Sequence, residues 1–151
     1  MNNILDEKNK DLLRILQKEF PISERPYLEI ARMLNITEDE VISRIKSLMD
    51  SSILRKLGAI INVKKIGYVS ILGAIDVIDE NIEEIAKIIN KYPGVTHNYL
   101  REGHPNIWFT LIEPNKEILE KNLEEIEEKV GTKIIKMPVK QMFKIGVKLV
   151  I

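Results

Sequence analysis

The chain has 151 residues and a mass of 17.5 kDa, enough for one medium domain or two small ones. With 44% hydrophobic and 30% charged residues it should bury a core, and 23 basic against 23 acidic side chains leave no surplus positive charge for non-specific nucleic-acid binding. Cysteine is absent, which excludes disulfides, zinc ribbons, thiolate nucleophiles and cysteine-ligated iron–sulfur clusters. No apolar run approaches the ~20 residues that span a bilayer, and residues 1–10 are too polar for a signal peptide, so a soluble cytoplasmic protein with no membrane contact is expected.

Helical spacing comes first. Leu12, Leu13, Leu16 and Phe20 share one side of a first helix that Pro21 stops. Pro26 suits the first turn of a second helix, whose Tyr27, Ile30, Ala31 and Leu34 face inward. Thr37 and Glu40 are spaced as a capping box ahead of a third helix carrying Val41, Ile45 and Leu48. Three short helices with a tight turn before the third predict a helix-turn-helix domain over residues 1–56. Its third helix opens Thr37-Glu38-Asp39-Glu40, and those carboxylates would repel phosphate where a DNA reader needs basic or amide side chains. The motif is therefore expected to keep its shape without binding DNA.

Residues 53–62 read as a strand joining the two halves, with no Pro/Ser/Gly-rich linker, so the halves are expected to pack together. The second domain spans residues 57–151. Tyr68 to Val77 predicts a strand; Asp79 can cap a helix with the stripe Ile82, Ile85, Ala86, Ile89. Val95 to Arg101 and Asn106 to Ile112 predict a hairpin, Leu119, Leu123, Ile126 and Val130 a further helix closed by Gly131, and residues from Lys133 onward a last strand. The order β-α-β-β-α-β is a ferredoxin-like unit, making the chain α+β. That fold hosts many functions.

The hairpin can be registered by hand. With Glu102 to Pro105 as its loop, Arg101 pairs with Asn106, Tyr99 with Trp108 and His97 with Thr110; Leu100 then meets Ile107, Asn98 meets Phe109 and Thr96 meets Leu111. The second set should cover the helices. The first set, His97, Tyr99, Arg101, Asn106, Trp108 and Thr110, falls on the open face of the sheet. Tyr, Trp and Arg are enriched at subunit interfaces, and the same residues suit a flat, acidic, aromatic ligand: Trp108 and Tyr99 stack, and Arg101 grips a carboxylate through two hydrogen bonds. The two readings are compatible if the site lies at an interface.

His97 and His104 are the two histidines of the chain, one in a hairpin strand and one in its loop. Histidine titrates nearest neutrality, so both are candidate proton donors or metal ligands at physiological pH. No third ligand completes a zinc site. Arg55 and Lys56 could reach a bound anion. Among the C-terminal lysines, Lys144 shares a strand face with Lys148 and is a further candidate for substrate carboxylates; a guard on an edge strand is the alternative.

The order helix-turn-helix, strand, ferredoxin-like unit resembles Lrp/AsnC-type transcription regulators. The motifs resemble something narrower. Phe20-Pro21 with Arg25-Pro26-Tyr27, Ile53-Leu-Arg-Lys-Leu-Gly-Ala59, Gly67-Tyr68, Gly94-Val-Thr-His-Asn-Tyr-Leu-Arg101, Asn106-Ile-Trp-Phe-Thr110, Met137-Pro138 and Phe143-Lys-Ile145 together resemble siroheme decarboxylase subunits over nearly the whole chain. The resemblance implies a carboxy-lyase in which two related subunits pair, removing carboxyl groups from two acetate side chains of siroheme. The product would be 12,18-didecarboxysiroheme, an intermediate of the alternative heme pathway and of heme d1 synthesis. It also implies that His97 and His104 are the active-site histidines and that Arg101 faces the substrate; taken with the hairpin register and the loop position of His104, this makes His97 the expected principal proton donor or heme-facing residue, a candidate axial ligand to the tetrapyrrole iron, and His104 the second proton-transfer candidate. No cofactor beyond the iron tetrapyrrole is implied, and the partner is a related second subunit or a second copy. Two other readings use the same fold: an Lrp/AsnC-type regulator binding DNA and a small amino-acid effector, and a heme-binding carrier without catalysis.

Overall fold

The computed structural model describes residues 4–141 and 143. The chain divides into two compact units, with the change falling between Ile60 and Ile61. Lys144 and the strand expected over residues 143–151 lie outside the described residues, Phe143 apart.

The first unit is three helices, α1 (Glu7–Lys18), α2 (Pro26–Leu34) and α3 (Glu38–Asp50). The predicted stripes meet in one core: Leu12, Leu13, Ile30, Ala31, Leu34, Val41, Ile45 and Leu48 are buried together. Phe20 closes the edge, its ring standing edge-on to Tyr27 with centroids 6.3 Å apart. Half of the expected capping box forms. The Thr37 hydroxyl accepts from the Glu40 N–H at 3.1 Å, but the Glu40 carboxylate accepts instead from the Arg44 guanidinium at 2.8 Å. An ion pair to a side chain one turn away competes with the backbone cap and wins here. Arg44 also donates to both carboxylate oxygens of Asp6, at 3.1 and 2.9 Å, and to Asn9 Oδ1 at 3.0 Å. Hydrogen bonds from Arg44 and from the Asn9 N–H hold the Asp6 carboxyl below its usual range. Arg44, the first basic residue of α3, is thus spent tying α3 to α1.

The strand expected over residues 53–62 is absent among the described residues. Ile60 and Ile61 are exposed and no neighbouring strand pairs with this segment. A short 3₁₀ turn (Val63–Ile66) follows.

The second unit is the expected ferredoxin-like sheet. Strands β1 (Val69–Ile75), β2 (Val95–Leu100), β3 (Ile107–Glu113) and β4 (Ile135–Pro138) form one antiparallel sheet in the order β2-β3-β1-β4. Helices α4 (Ile82–Ile89) and α5 (Lys116–Val130) supply the core with Ile85, Ile89, Leu119, Leu123 and Ile126. Helix α4 starts later than a cap at Asp79 implies, because a 3₁₀ turn (Asp79–Asn81) intervenes. Asn115 caps α5 by accepting from the Ile118 N–H at 2.9 Å.

Alternation in β3 sorts the two faces. Ile107, Phe109 and Leu111 are buried toward the helices, opposite Ile75, Gly73 and Ile71 of β1; Trp108, Thr110 and Ile112 point the other way, opposite Ala74, Leu72 and Ser70. Gly73 is required there: a Cβ would stand 2.6 Å from Phe109 Cζ. The open face therefore carries two cross-strand rows, Tyr99-Trp108-Ala74-Ile135 and His97-Thr110-Leu72-Met137.

Candidate functional site

The hairpin forms in the expected register over His97↔Thr110, Asn98↔Phe109, Tyr99↔Trp108 and Leu100↔Ile107, and the Arg101 N–H donates to the Asn106 carbonyl at 2.8 Å. It departs at its far end. Leu111 pairs with Val95 rather than Thr96, because a bulge between Val95 and His97 puts two residues of β2 opposite one of β3. The bulge turns Val95 onto the helix-side core and leaves the Thr96 hydroxyl 3.0 Å from His97 Nδ1.

Four of the predicted side chains meet on the open face. The His97 and Tyr99 rings lie 5.9 Å apart with their planes tilted by 31°. The Arg101 guanidinium stands 5.0 Å above the Trp108 ring centre. The indole is fixed in turn by its own N–H, which donates to the Pro105 carbonyl at 2.7 Å. Stacking on an indole face leaves the guanidinium edge, with its paired N–H donors, available to a carboxylate. His97 and Tyr99 are exposed and Trp108 half-buried, so the patch is a rigid platform open to a flat molecule or to a second sheet.

Asn106 corrects the expected face assignment. Its side chain is buried, accepts from the Val77 N–H at 3.0 Å and donates to the Val77 carbonyl at 2.7 Å. An amide can pair with both halves of a peptide group at once, so Asn106 turns inward and anchors the chain leaving β1. Asn106→Ala is expected to destabilise the fold by roughly 2–4 kcal/mol, since two buried backbone groups lose their partners. Urea denaturation followed by circular dichroism checks this; an unchanged midpoint would place the anchor elsewhere. Leu100, expected on the covered face, is exposed at the end of β2.

His104 occupies the β2–β3 loop at the edge of the sheet, where Gly103 takes a left-handed φ of +88° and the His104–Pro105 peptide is cis. Its Nδ1 lies 2.6 Å from a carboxylate oxygen of Asp76, the residue that follows β1. Motif and spacing do not single out Asp76; the available signal is an acid directly after a buried strand, at the end where the hairpin loop must sit. Two surface cavities adjoin here. One of about 560 Å³ is lined by Asp76, Ile78, Glu80 and His104. The other, about 330 Å³, includes Arg101, Glu102 and His104. Arg101 thus belongs both to the platform and to the edge that carries His104. Arg55 and Lys56 are exposed residues of the first unit, in irregular chain after α3.

Among the described residues no group of three or more His, Asp or Glu side chains could hold a metal ion, and no helix is long and apolar enough to cross a membrane.

Residues 65–144 match the AsnC-like ligand binding domain family, and residues 9–55 match the siroheme decarboxylase NirDL-like HTH domain. The chain is 41% identical to the siroheme decarboxylase alpha subunit of Desulfovibrio desulfuricans over 143 residues, covering 95% of this chain and 83% of that one. The crystal structure of the siroheme decarboxylase NirDL in co-complex with an iron-uroporphyrin III analogue superposes with a TM-score of 0.67 at 33% identity, over 87% of this chain and 44% of that longer chain. An AsnC family transcriptional regulator from Agrobacterium tumefaciens superposes at 0.75 with 16% identity, covering 96% of both chains, a likeness of fold alone. The architecture is that of the AsnC regulators, and the chain belongs to the siroheme decarboxylase family.

Proposed function

We propose that this chain is a siroheme decarboxylase subunit that removes carboxyl groups from two acetate side chains of siroheme, giving 12,18-didecarboxysiroheme, in the cytoplasm and together with a related second subunit or a second copy. The observation that carries the reading is the open-face cluster of His97, Tyr99, Arg101 and Trp108 with His104 at its edge. The names of its relatives, and the iron-porphyrin analogue named with NirDL, support the same substrate class.

The chemistry asks little else of the protein. When CO2 leaves a pyrrole acetate, the bond between methylene and carboxyl carbons breaks and its electron pair passes to the methylene carbon and the conjugated ring. A proton then makes the new C–H bond of the methyl group. The ring is the electron sink, so no further cofactor is needed. In this chain the indole of Trp108 and the ring of Tyr99 offer a flat apolar seat, and Arg101 binds a substrate carboxylate and holds the macrocycle in register. His97, on the edge strand β2 with its ring beside Tyr99, suits the iron-facing position. His104, paired with a carboxylate, suits proton delivery. Register and motif together favour His97 as principal donor; the Asp76 carboxylate beside His104 supports His104 in that role instead.

The test is anaerobic incubation of the chain, alone and with its candidate partner subunit, with siroheme, followed by mass spectrometry of the tetrapyrrole. Loss of two CO2 units supports the reading; unchanged siroheme that stays bound favours a carrier. The regulator reading makes a separate prediction. With Arg44 engaged by Asp6, Asn9 and Glu40, and three acids opening α3, no saturable sequence-dependent DNA binding is expected at physiological salt. A gel shift with nanomolar, sequence-dependent binding to upstream DNA would reinstate the regulator.

A further inference from the structure

Asp76 and His104 lie 28 positions apart and come from different elements, the end of β1 and the β2–β3 loop. They meet at 2.6 Å beside a cavity they both line. Their side chains are 56% and 78% exposed. An ion pair so open to water contributes little to stability, so holding the fold together is a poor account of it. Its geometry is better suited to orientation. A neutral imidazole in water prefers its proton on Nε2. A carboxylate accepting at Nδ1 reverses that preference and fixes the plane of the ring.

We propose that Asp76 is the positioning residue of the proton-donating imidazole: its carboxylate holds His104 through Nδ1, so that protons leave and re-enter the ring at Nε2. The inference rests on the decarboxylase reading above and adds the residue that organises its acid. The balance is simple. Charged His104 gives its Nε2 proton to the methylene carbon that has just lost CO2. The Nδ1 proton stays hydrogen-bonded to Asp76, and the Nε2 lone pair takes the next proton from water. Two acetates need two such deliveries, and a ring that cannot rotate or change tautomer between them presents the same atom each time. Charged groups lining the cavities beside His104 include Glu80, which shares the Asp76 cavity, and Arg101 and Glu102, which share the second one.

Two measurements test this. The first is the nitrogen-15 shifts of the His104 ring in the full chain at a pH where the ring is neutral. The wild type is expected to be mainly the Nδ1–H form, Asp76→Ala to revert toward Nε2–H, Asp76→Glu to recover in part, and Glu80→Gln to leave the shifts as in the wild type. The second is siroheme decarboxylation by the assembled complex. Asp76→Ala is expected to lower kcat by roughly 10-fold, the low end of the 10–100-fold typical when a carboxylate orienting an imidazole is removed, with KM nearly unchanged. Asp76→Ala added to His104→Gln should cost nothing more, because the two act as one unit. An unchanged tautomer in Asp76→Ala, or a rise in KM at constant kcat, overturns the assignment. An Asp76→Ala complex that decarboxylates as fast as the wild type also overturns it and leaves the decarboxylase reading standing. A wild-type complex that releases no CO2 removes that reading and Asp76's part in it together, while the ring shifts still report the pair.

Discussion

Replacing His104 by alanine in the assembled complex is expected to slow siroheme decarboxylation by about 10²–10⁴-fold while the tetrapyrrole still binds, since that is the usual cost of losing a positioned general acid. The two histidines are separable by experiment because they occupy different places. His104 lies in the loop at the sheet edge against Asp76, and His97 stands on the platform beside Tyr99. His97→Ala should instead abolish the iron-linked absorption shift that accompanies binding. Arg101→Ala should chiefly raise the substrate concentration needed, by the roughly 1.5–3 kcal/mol of a charged hydrogen bond. Stopped assays with mass spectrometry read the first effect and visible-absorption titration the other two. A His104→Ala complex that decarboxylates at the wild-type rate would return the donor's role to His97. Retention of the absorption shift in His97→Ala would remove the iron-facing role from that residue.

Phe109→Ala is expected to destabilise the second unit by about 3–5 kcal/mol, enough to shift the thermal midpoint by more than 10 °C for a domain of this size. Phe109 is fully buried, and its ring lies over the Cα of Gly73 on the neighbouring strand, where a Cβ would already collide. A ring and a glycine facing each other form a lock that neither strand can satisfy with its neighbours one position along. Truncation leaves a cavity and removes the feature that holds β3 in register with β1. The site depends on that register, because a slip of one residue would turn Trp108 inward and Phe109 out. Phe109→Leu should cost markedly less. Chemical denaturation of both variants checks the difference; a loss below about 1 kcal/mol in Phe109→Ala would mean the site collapses around the missing ring.

Much of this protein is legible in its residues because the signals are local. The stripes of Leu12–Leu13–Leu16 and Val41–Ile45–Leu48 report helical faces, Pro26 and Thr37 mark helix starts, and Gly131 marks an end, each through contacts within one or two turns. The four-residue loop fixes the hairpin register, so the residues alone place His97, Tyr99, Arg101 and Trp108 on one face. Choices that depend on competition between distant partners are not legible. Alternation assigns Asn106 outward, but two unpaired backbone groups of Val77, 29 residues earlier, claim its amide. Residues 53–62 have the composition of a strand, but no described strand pairs with them. The half-made cap at Thr37 yields to Arg44, whose other partners, Asp6 and Asn9, belong to the start of a different helix. Asp76 acquires its meaning only when the antiparallel order brings the end of β1 to the same sheet edge as the hairpin loop. Periodicity and capping are written within a few residues of each other and survive as sequence. The pairing of His104 with Asp76 is a property of the sheet's strand order, and the chain has to fold before the two can meet.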